Sequence, residues 1–295
     1  MPGIQRPQRP PQYPHPKPNK LYYVSKKRAA QALQNPAPPP SPVRPWQNIF
    51  IPVICYNHTA NTNYMMSLIR LTHHLKEKGI QHTLYPITFD SLVSRARNGA
   101  VAHFILSNCT HLMFIDADIE FMPESVTKLL DWDKDVIAGL YPKKQFYPER
   151  IATNEEVVDF PVAGKVYIDE QGLLHSDYLP AGFLMISRKA IDKMILAYPQ
   201  LKYKNDINAY GTSETFYDFF QVSVRNGILE SEDWGFCTNW KAIGGEVLID
   251  LSLRLIHHGW TNFHGDPKKW CHEAIKRVVD AESTTAAAAE PSSKP

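Results

Sequence analysis

The feature that most constrains this chain is the stretch Thr110–Phe121, THLMFIDADIEF. Leu112–Ile115 are all apolar and read as a strand, and the chain leaves that strand through Asp116 and Asp118. Two carboxylates separated by one residue point the same way if the backbone stays extended. At the carboxyl end of a strand they suit a hard divalent cation, Mg²⁺ or Mn²⁺, whose other ligands are diphosphate oxygens and water. Such an ion offsets the charge that develops on a diphosphate leaving group. Acids after a strand can also do no more than cap the next turn. The strand placement and the helix opened by Pro123 favour the metal reading.

The surrounding pattern alternates. Ile49–Cys55 is an apolar strand, and Asn61–Lys78 is an amphipathic helix stopped by Gly79, with Met65, Leu68, Ile69, Thr72 and Leu75 as its inner stripe. A strand near His82–Ile87, a helix near Ser91–Leu106, the strand His111–Ile115, the Pro123 helix and the strand Val136–Gly139 follow. The order β-α-β-α-β-α-β implies an α/β fold: a mostly parallel sheet with helices on both faces and ligands at the carboxyl ends of its strands. Beyond Tyr141 come a hairpin around Asp169–Gly172, a strand Gly182–Ile186, a helix from Ser187 to about Tyr198, and a loop rich in Tyr, Asn and Phe. A helix from about Glu232 to Ile243 and short strands near Val247–Ile249 and Leu253–His257 complete the pattern. One domain over residues 46–280 is the economical reading, with a nucleotide half at 46–142 and an acceptor half at 143–280.

The flanks differ in composition. Residues 1–45 hold thirteen of the 24 prolines and eight Lys/Arg with no acid, which predicts a disordered, basic, Pro-rich tail. Polybasic segments favour anionic surfaces, so a contact with a membrane surface or a partner protein is open to this tail, beside the plain reading of a solvated linker. Residues 281–295 are low in complexity and predict a second disordered tail. Without the first tail, 24 basic and 30 acidic residues leave the body at about −6 by formal charge, which argues against a nucleic-acid-binding surface. Four widely spaced cysteines, Cys55, Cys109, Cys237 and Cys271, suit core thiols in a reducing compartment. No apolar run reaches the roughly 20 residues of a membrane span, and no signal-peptide core is seen, so the expectation is a cytoplasmic protein with no transmembrane segment.

The run Ser94–Lys144, containing SRARN, THLMFIDADIEF and DVIAGLYPKK, resembles glycosyltransferases of the GT-A fold, including small single-domain enzymes of bacteria and large algal DNA viruses. LPAGFLMISRKAI (Leu179–Ile191), SEDWGFC (Ser231–Cys237) and LIHHGWTNFHGD (Leu255–Asp266) follow in the order that fold uses them, and the match spans about residues 48–268. A DxD alone is weak, but the ordered set is specific.

The resemblance implies roles. Asp118 binds the metal and Asp116 contacts ribose or a metal-bound water. The metal is Mn²⁺ or Mg²⁺, and the donor a UDP- or GDP-sugar, with UDP preferred. His257 completes the metal site, with His264 as the alternate, and His258 is expected outward or behind the ligands because neighbours in a strand alternate faces. Arg97, ahead of Arg95, is the candidate to face the nucleotide. Pro52 and Asp90 leave the first two strands where a base would stack, and Lys144 could reach the diphosphate or sugar. Gly182 could let the sugar approach the backbone. Each of these is also compatible with an ordinary loop or surface role. Asp233 is the general base that takes the proton from the acceptor hydroxyl, with Glu232 contacting the acceptor or sharing the role. Acids in a first helical turn are favoured by the helix dipole whatever the function. Tyr203, Tyr210, Phe216, Tyr217 and Trp234 form either an acceptor wall or core. The reading is an inverting transferase acting on a glycan hydroxyl. A retaining transferase, a sugar nucleotidyltransferase and an inactive glycan-binding module are the alternatives.

Overall fold

The computed structural model describes residues 22–23, 47–212 and 214–288, with side chains described for 47–212 and 214–277. Most of the expected N-terminal tail and residues 289–295 therefore lie outside the described residues. In chain order the elements are β1 (Tyr22–Tyr23), β2 (Asn48–Ile54), α1 (Thr62–Glu77), β3 (Gln81–Ile87), α2 (Val93–Leu106), β4 (His111–Ile115), β5 (Ile119–Glu120), α3 (Pro123–Asp131) and β6 (Val136–Gly139). There follow β7 (Lys165–Ile168), β8 (Leu173–His175), β9 (Phe183–Ser187), α4 (Arg188–Ala197), β10 (Lys202–Tyr203), β11 (Phe216–Tyr217), β12 (Ser223–Arg225) and β13 (Ile228–Glu230). The chain closes with α5 (Glu232–Ala242), β14 (Leu248–Asp250), β15 (Ile256–His258), β16 (Asn262–Phe263) and α6 (Pro267–Ala288).

Nine strands form the central sheet in the order β1-β7-β8-β14-β6-β9-β4-β2-β3. The pairings run β2 parallel to both β3 and β4, reverse at β9, return to parallel for β6 and β14, and reverse once more at β8. Only β8 and β9 oppose the common direction, so the sheet is mostly parallel by strand direction. This is the expected α/β class, a mostly parallel sheet flanked by helices. A separate small sheet, β16-β15-β5, packs at the end where β4 delivers Asp116 and Asp118.

All five residues of β4 are buried, and its side chains alternate between two cores. Leu112 and Phe114 join Phe104 of α2, Ile191 of α4 and Phe236 of α5 on one face. Met113 and Ile115 join Leu68, Leu71 and Leu75 of α1 and Val126, Leu129 and Leu130 of α3 on the other. Each such side chain contributes roughly 1.5–3 kcal/mol on leaving water. The site thus stands on a strand held from both sides.

Three expectations change. The inner face of α1 is Tyr64, Ser67, Leu68, Leu71 and Leu75, while Met65 and Ile69 are exposed, so the stripe is rotated by about one residue. The cause is Tyr64, whose large ring takes the core position. Tyr22–Tyr23, within the expected N-terminal tail, pairs parallel with Lys165–Val166 at the sheet edge. The helix α6 runs through Ala288, past the expected boundary at 280, because its alanines have the best intrinsic helix propensity. Among the described residues no helix is long and apolar enough to cross a membrane. The four cysteines are free and buried.

Candidate functional site

The Asp116–Asp118 turn is clamped by backbone hydrogen bonds from three directions. Asp116 N–H donates to Gly182 O at 2.9 Å, Asn61 N–H at the cap of α1 donates to Ala117 O at 2.9 Å, and His258 N–H of β15 donates to Asp118 O at 2.8 Å. Ile119 N–H also donates to Asp116 O at 3.0 Å, closing a turn. The backbone is therefore not extended here, and the expected same-side alignment of the two carboxylates is not how they are used. Each has its own set of partners.

Asp118 faces Lys144 and His257. Lys144 Nζ lies 2.5 Å from Asp118 Oδ2, and His257 Nε2 lies 3.4 Å from the same oxygen. Burial alone would raise the Asp118 pKa, but a protonated His257 ring and the Lys144 ammonium outweigh it and hold the carboxyl at about 2. His257 Nδ1 donates to Pro142 O at 2.8 Å. A carbonyl only accepts, so Nδ1 carries the hydrogen and a neutral ring turns the lone pair of Nε2 toward Asp118. Two acceptors so placed are reconciled by a proton or a cation between them. One carboxylate oxygen and one imidazole nitrogen, with the second ring nitrogen anchored on a carbonyl, are a donor pair that suits Mn²⁺ better than the all-oxygen preference of Mg²⁺. Among the described residues no set of three His, Cys, Asp or Glu converges as a metal cage. Asp116 stands apart from this pair.

Asp116 is held by Arg97, which is buried on α2. Arg97 Nη2 donates to Asp116 Oδ1 at 3.0 Å, Nε to Glu232 Oε1 at 3.4 Å and Nη1 to Ala181 O at 3.3 Å, with the guanidinium carbon 5.3 Å from the centre of the Phe114 ring. Burial would lower the Arg97 pKa, but Asp116 and Glu232 overcome that and drive it up, so the cation is permanent. Arg95, two residues earlier on α2, turns outward to Asp90, so Arg97 is the arginine of the pair that enters the site.

Glu232 and Asp233 occupy the first turn of α5, as expected. Asp233 Oδ2 accepts from Tyr178 Oη at 2.8 Å, while Oδ1 accepts from Trp234 N–H at 2.9 Å and from Ser231 Oγ. Tyr178 stacks on Trp234 with ring centres 5.3 Å apart. Burial, then the Asp233 charge, push the Tyr178 pKa up, so its hydroxyl stays a donor.

Several candidates have other roles. Pro52 is buried inside β2, opposite Tyr85 of β3, and does not leave the strand; β2 pairs with β4 only at Ile49 and Phe50, so the missing N–H at Pro52 leaves that ladder intact. Asp90 is saturated: it accepts from Arg95 Nε and Nη2 at 2.8 and 2.9 Å, Leu92 N–H at 2.9 Å and Tyr210 Oη at 2.7 Å. It anchors the start of α2 instead of facing a base. Gly182 is close-packed: a Cβ there would meet Tyr141 Oη at 2.5 Å and Asp116 Oδ2 at 2.6 Å, so its small size serves these two side chains. His264 is exposed beyond β16. His258 is buried, with Nε2 2.9 Å from Glu120 Oε2, and so faces inward. Tyr210 and Phe216 are core, whereas Tyr203, Tyr217 and Trp234 are half-buried.

Sequence reasoning missed Tyr178 and Tyr64. The hydroxyl of Tyr64 is buried with no hydrogen-bond partner among the described residues, and burial, with Cys55 and Asp116 nearby, pushes its pKa up. No local pattern marks either residue, since both act across the fold.

No known protein-family pattern matches the chain, and no curated protein does. Among solved structures it overlaps the crystal structure of GalNAc-T7 with UDP, GalNAc and Mn²⁺ at a TM-score of 0.38 and 10% identity, covering 79% of this chain and 47% of that one. It also overlaps a putative glucose-1-phosphate thymidylyltransferase from Bacillus anthracis in complex with a sucrose, at a TM-score of 0.32 and 12% identity, covering 78% and 93% of the two chains. The chain thus spans about half the length of the GalNAc-T7 structure.

Proposed function

We propose that the protein is a metal-dependent inverting glycosyltransferase that moves a sugar from a UDP- or GDP-sugar to a hydroxyl of a glycan. The observation that carries this reading is the Arg97 bridge, which ties Asp116 at the carboxyl end of β4 to Glu232 at the start of α5 through one buried guanidinium. It brings the donor-side acid and the acid next to the base candidate to a single point.

Asp118 and His257 would hold Mn²⁺ or Mg²⁺, which when bound offsets the negative charge of the diphosphate. Lys144 adds a mobile ammonium beside Asp118 for the same oxygens. Asp233 takes the proton from the acceptor hydroxyl while that oxygen bonds to the anomeric carbon. The bond to the diphosphate breaks, and its electron pair leaves with the nucleotide. Tyr178 and Ser231 fix the orientation of the Asp233 carboxylate, and Arg97 keeps the neighbouring Glu232 from crowding it with unpaired charge. A cytoplasmic placement agrees with the free, buried thiols.

The test is the anomeric configuration of the product. With a panel of UDP- and GDP-sugars, Mn²⁺ and oligosaccharide acceptors, NMR of the transferred sugar is expected to show inversion relative to the donor. Retention would remove the base role of Asp233, and the absence of any transfer across the panel would contradict the reading.

A further inference from the structure

A cleft of about 620 Å³ opens beside the site described above. One wall is the first two turns of α2, with Arg95 and Asn98, and the other is β10, with Lys202 and Tyr203, together with Asp218 and Gln221 of the segment after β11. Gln221 packs its backbone and side chain over Gly235, two residues beyond Asp233, so the cleft borders the first turn of α5.

Its chemistry is mixed by sign. Asn98 Nδ2 donates to one Asp218 oxygen at 2.8 Å, and Asn98 Oδ1 accepts from Phe220 N–H at 2.9 Å, which fixes the Asp218 carboxyl at the wall. The second Asp218 oxygen has no hydrogen bond among the described residues, and Asp218 is only half-buried. Arg95 spends Nε and Nη2 on Asp90, which leaves Nη1 as a donor on a fixed guanidinium. A carboxylate disfavours an anionic ligand, and an arginine with an exposed lysine disfavours a cationic one. A neutral polyhydroxyl ring satisfies both at once, because each hydroxyl donates and accepts. Tyr203 adds an aromatic face held edge-on against Phe216, with ring centres 5.5 Å apart. Aromatic rings pack well on the C–H faces of sugars because they offer a flat apolar surface with few rotors to order.

We propose that this cleft is a carbohydrate subsite that takes a neutral pyranose ring, stacked on Tyr203 and hydrogen-bonded to Asp218, Gln221 and Arg95. Taken with the transferase reading, on which its role as an acceptor subsite rests, the ring belongs to the acceptor one or more sugars away from the reacting hydroxyl. The binding itself requires no donor.

Saturation-transfer NMR of the full chain with the methyl glycosides of glucose, galactose, mannose, N-acetylglucosamine and xylose, without nucleotide or metal, tests this directly. At least one glycoside is expected to receive saturation, with its ring protons strongest. Tyr203→Leu is expected to abolish the signal, and Asp218→Asn, which keeps an oxygen for Asn98, to weaken the affinity about tenfold. Melting temperatures confirm that both variants are folded. Asp118→Ala is expected to keep glycoside binding. If no glycoside binds, or if binding survives both cleft substitutions, the proposal is overturned. Glycoside binding in a protein that never binds a nucleotide sugar would leave the cleft standing and remove the transferase reading instead.

Discussion

Arg97 Nη2 sits 3.0 Å from Asp116 Oδ1, and its other edge reaches Glu232. The two acids come from opposite halves of the chain, and the cation between them is 4% exposed. Removing it leaves two carboxylates uncompensated, which at buried sites costs about 3–5 kcal/mol; with a third of the Asp116 side chain exposed, Arg97→Met belongs at the low end, about 3 kcal/mol in urea denaturation. Adding Glu232→Gln to Arg97→Met is expected to recover part of the loss, because the cycle isolates the charge term. A single variant as stable as the parent would show that the bridge is not formed.

Asp90 makes stability depend on acid in a defined direction. Burial raises its pKa, but the hydrogen bonds from Arg95 and Tyr210 outweigh that and set it below the ordinary value of 3.8. The unfolded chain therefore binds this proton more readily, and stability falls as pH falls below roughly 4, where free aspartate titrates. Melting curves of the parent and Asp90→Asn should differ most near neutrality and converge in acid. A gap that is constant with pH would contradict the linkage.

Asp233→Asn is expected to keep donor binding and lower turnover about 10²–10⁴-fold, the range of general-base catalysis. Tyr178→Phe removes only an orienting hydrogen bond and should cost less. Turnover by Asp233→Asn at the parental rate would remove Asp233 as the base.

The sequence reading held where the information is local. The apolar run of β4, the proline at the first turn of α3 and the acids opening α5 all depend on neighbours a few residues away. It failed where a distant partner decides. Asp90 reads as a base-side residue at a strand end until Tyr210 and Arg95 close on it, and Gly182 reads as an open approach until Tyr141 fills the space. His257 and His258 were separable by strand alternation, yet their destinations, Asp118 and Glu120, depend on β15 pairing with β5. Tyr178 carries no motif, and its role follows only from meeting Asp233 across the fold.

The central claim is that Asp118 and His257 build a metal-dependent donor site, and thermal shift tests it most directly. UDP or GDP, or one of their sugars, is expected to raise the melting temperature of the parent protein in Mn²⁺ and much less in EDTA. A ligand at one hundred times its Kd adds about 2.7 kcal/mol. In Asp118→Ala the Mn²⁺-dependent part is expected to vanish. A parent that no nucleotide stabilises, or an Asp118→Ala protein that keeps the full Mn²⁺-dependent shift, would contradict the account.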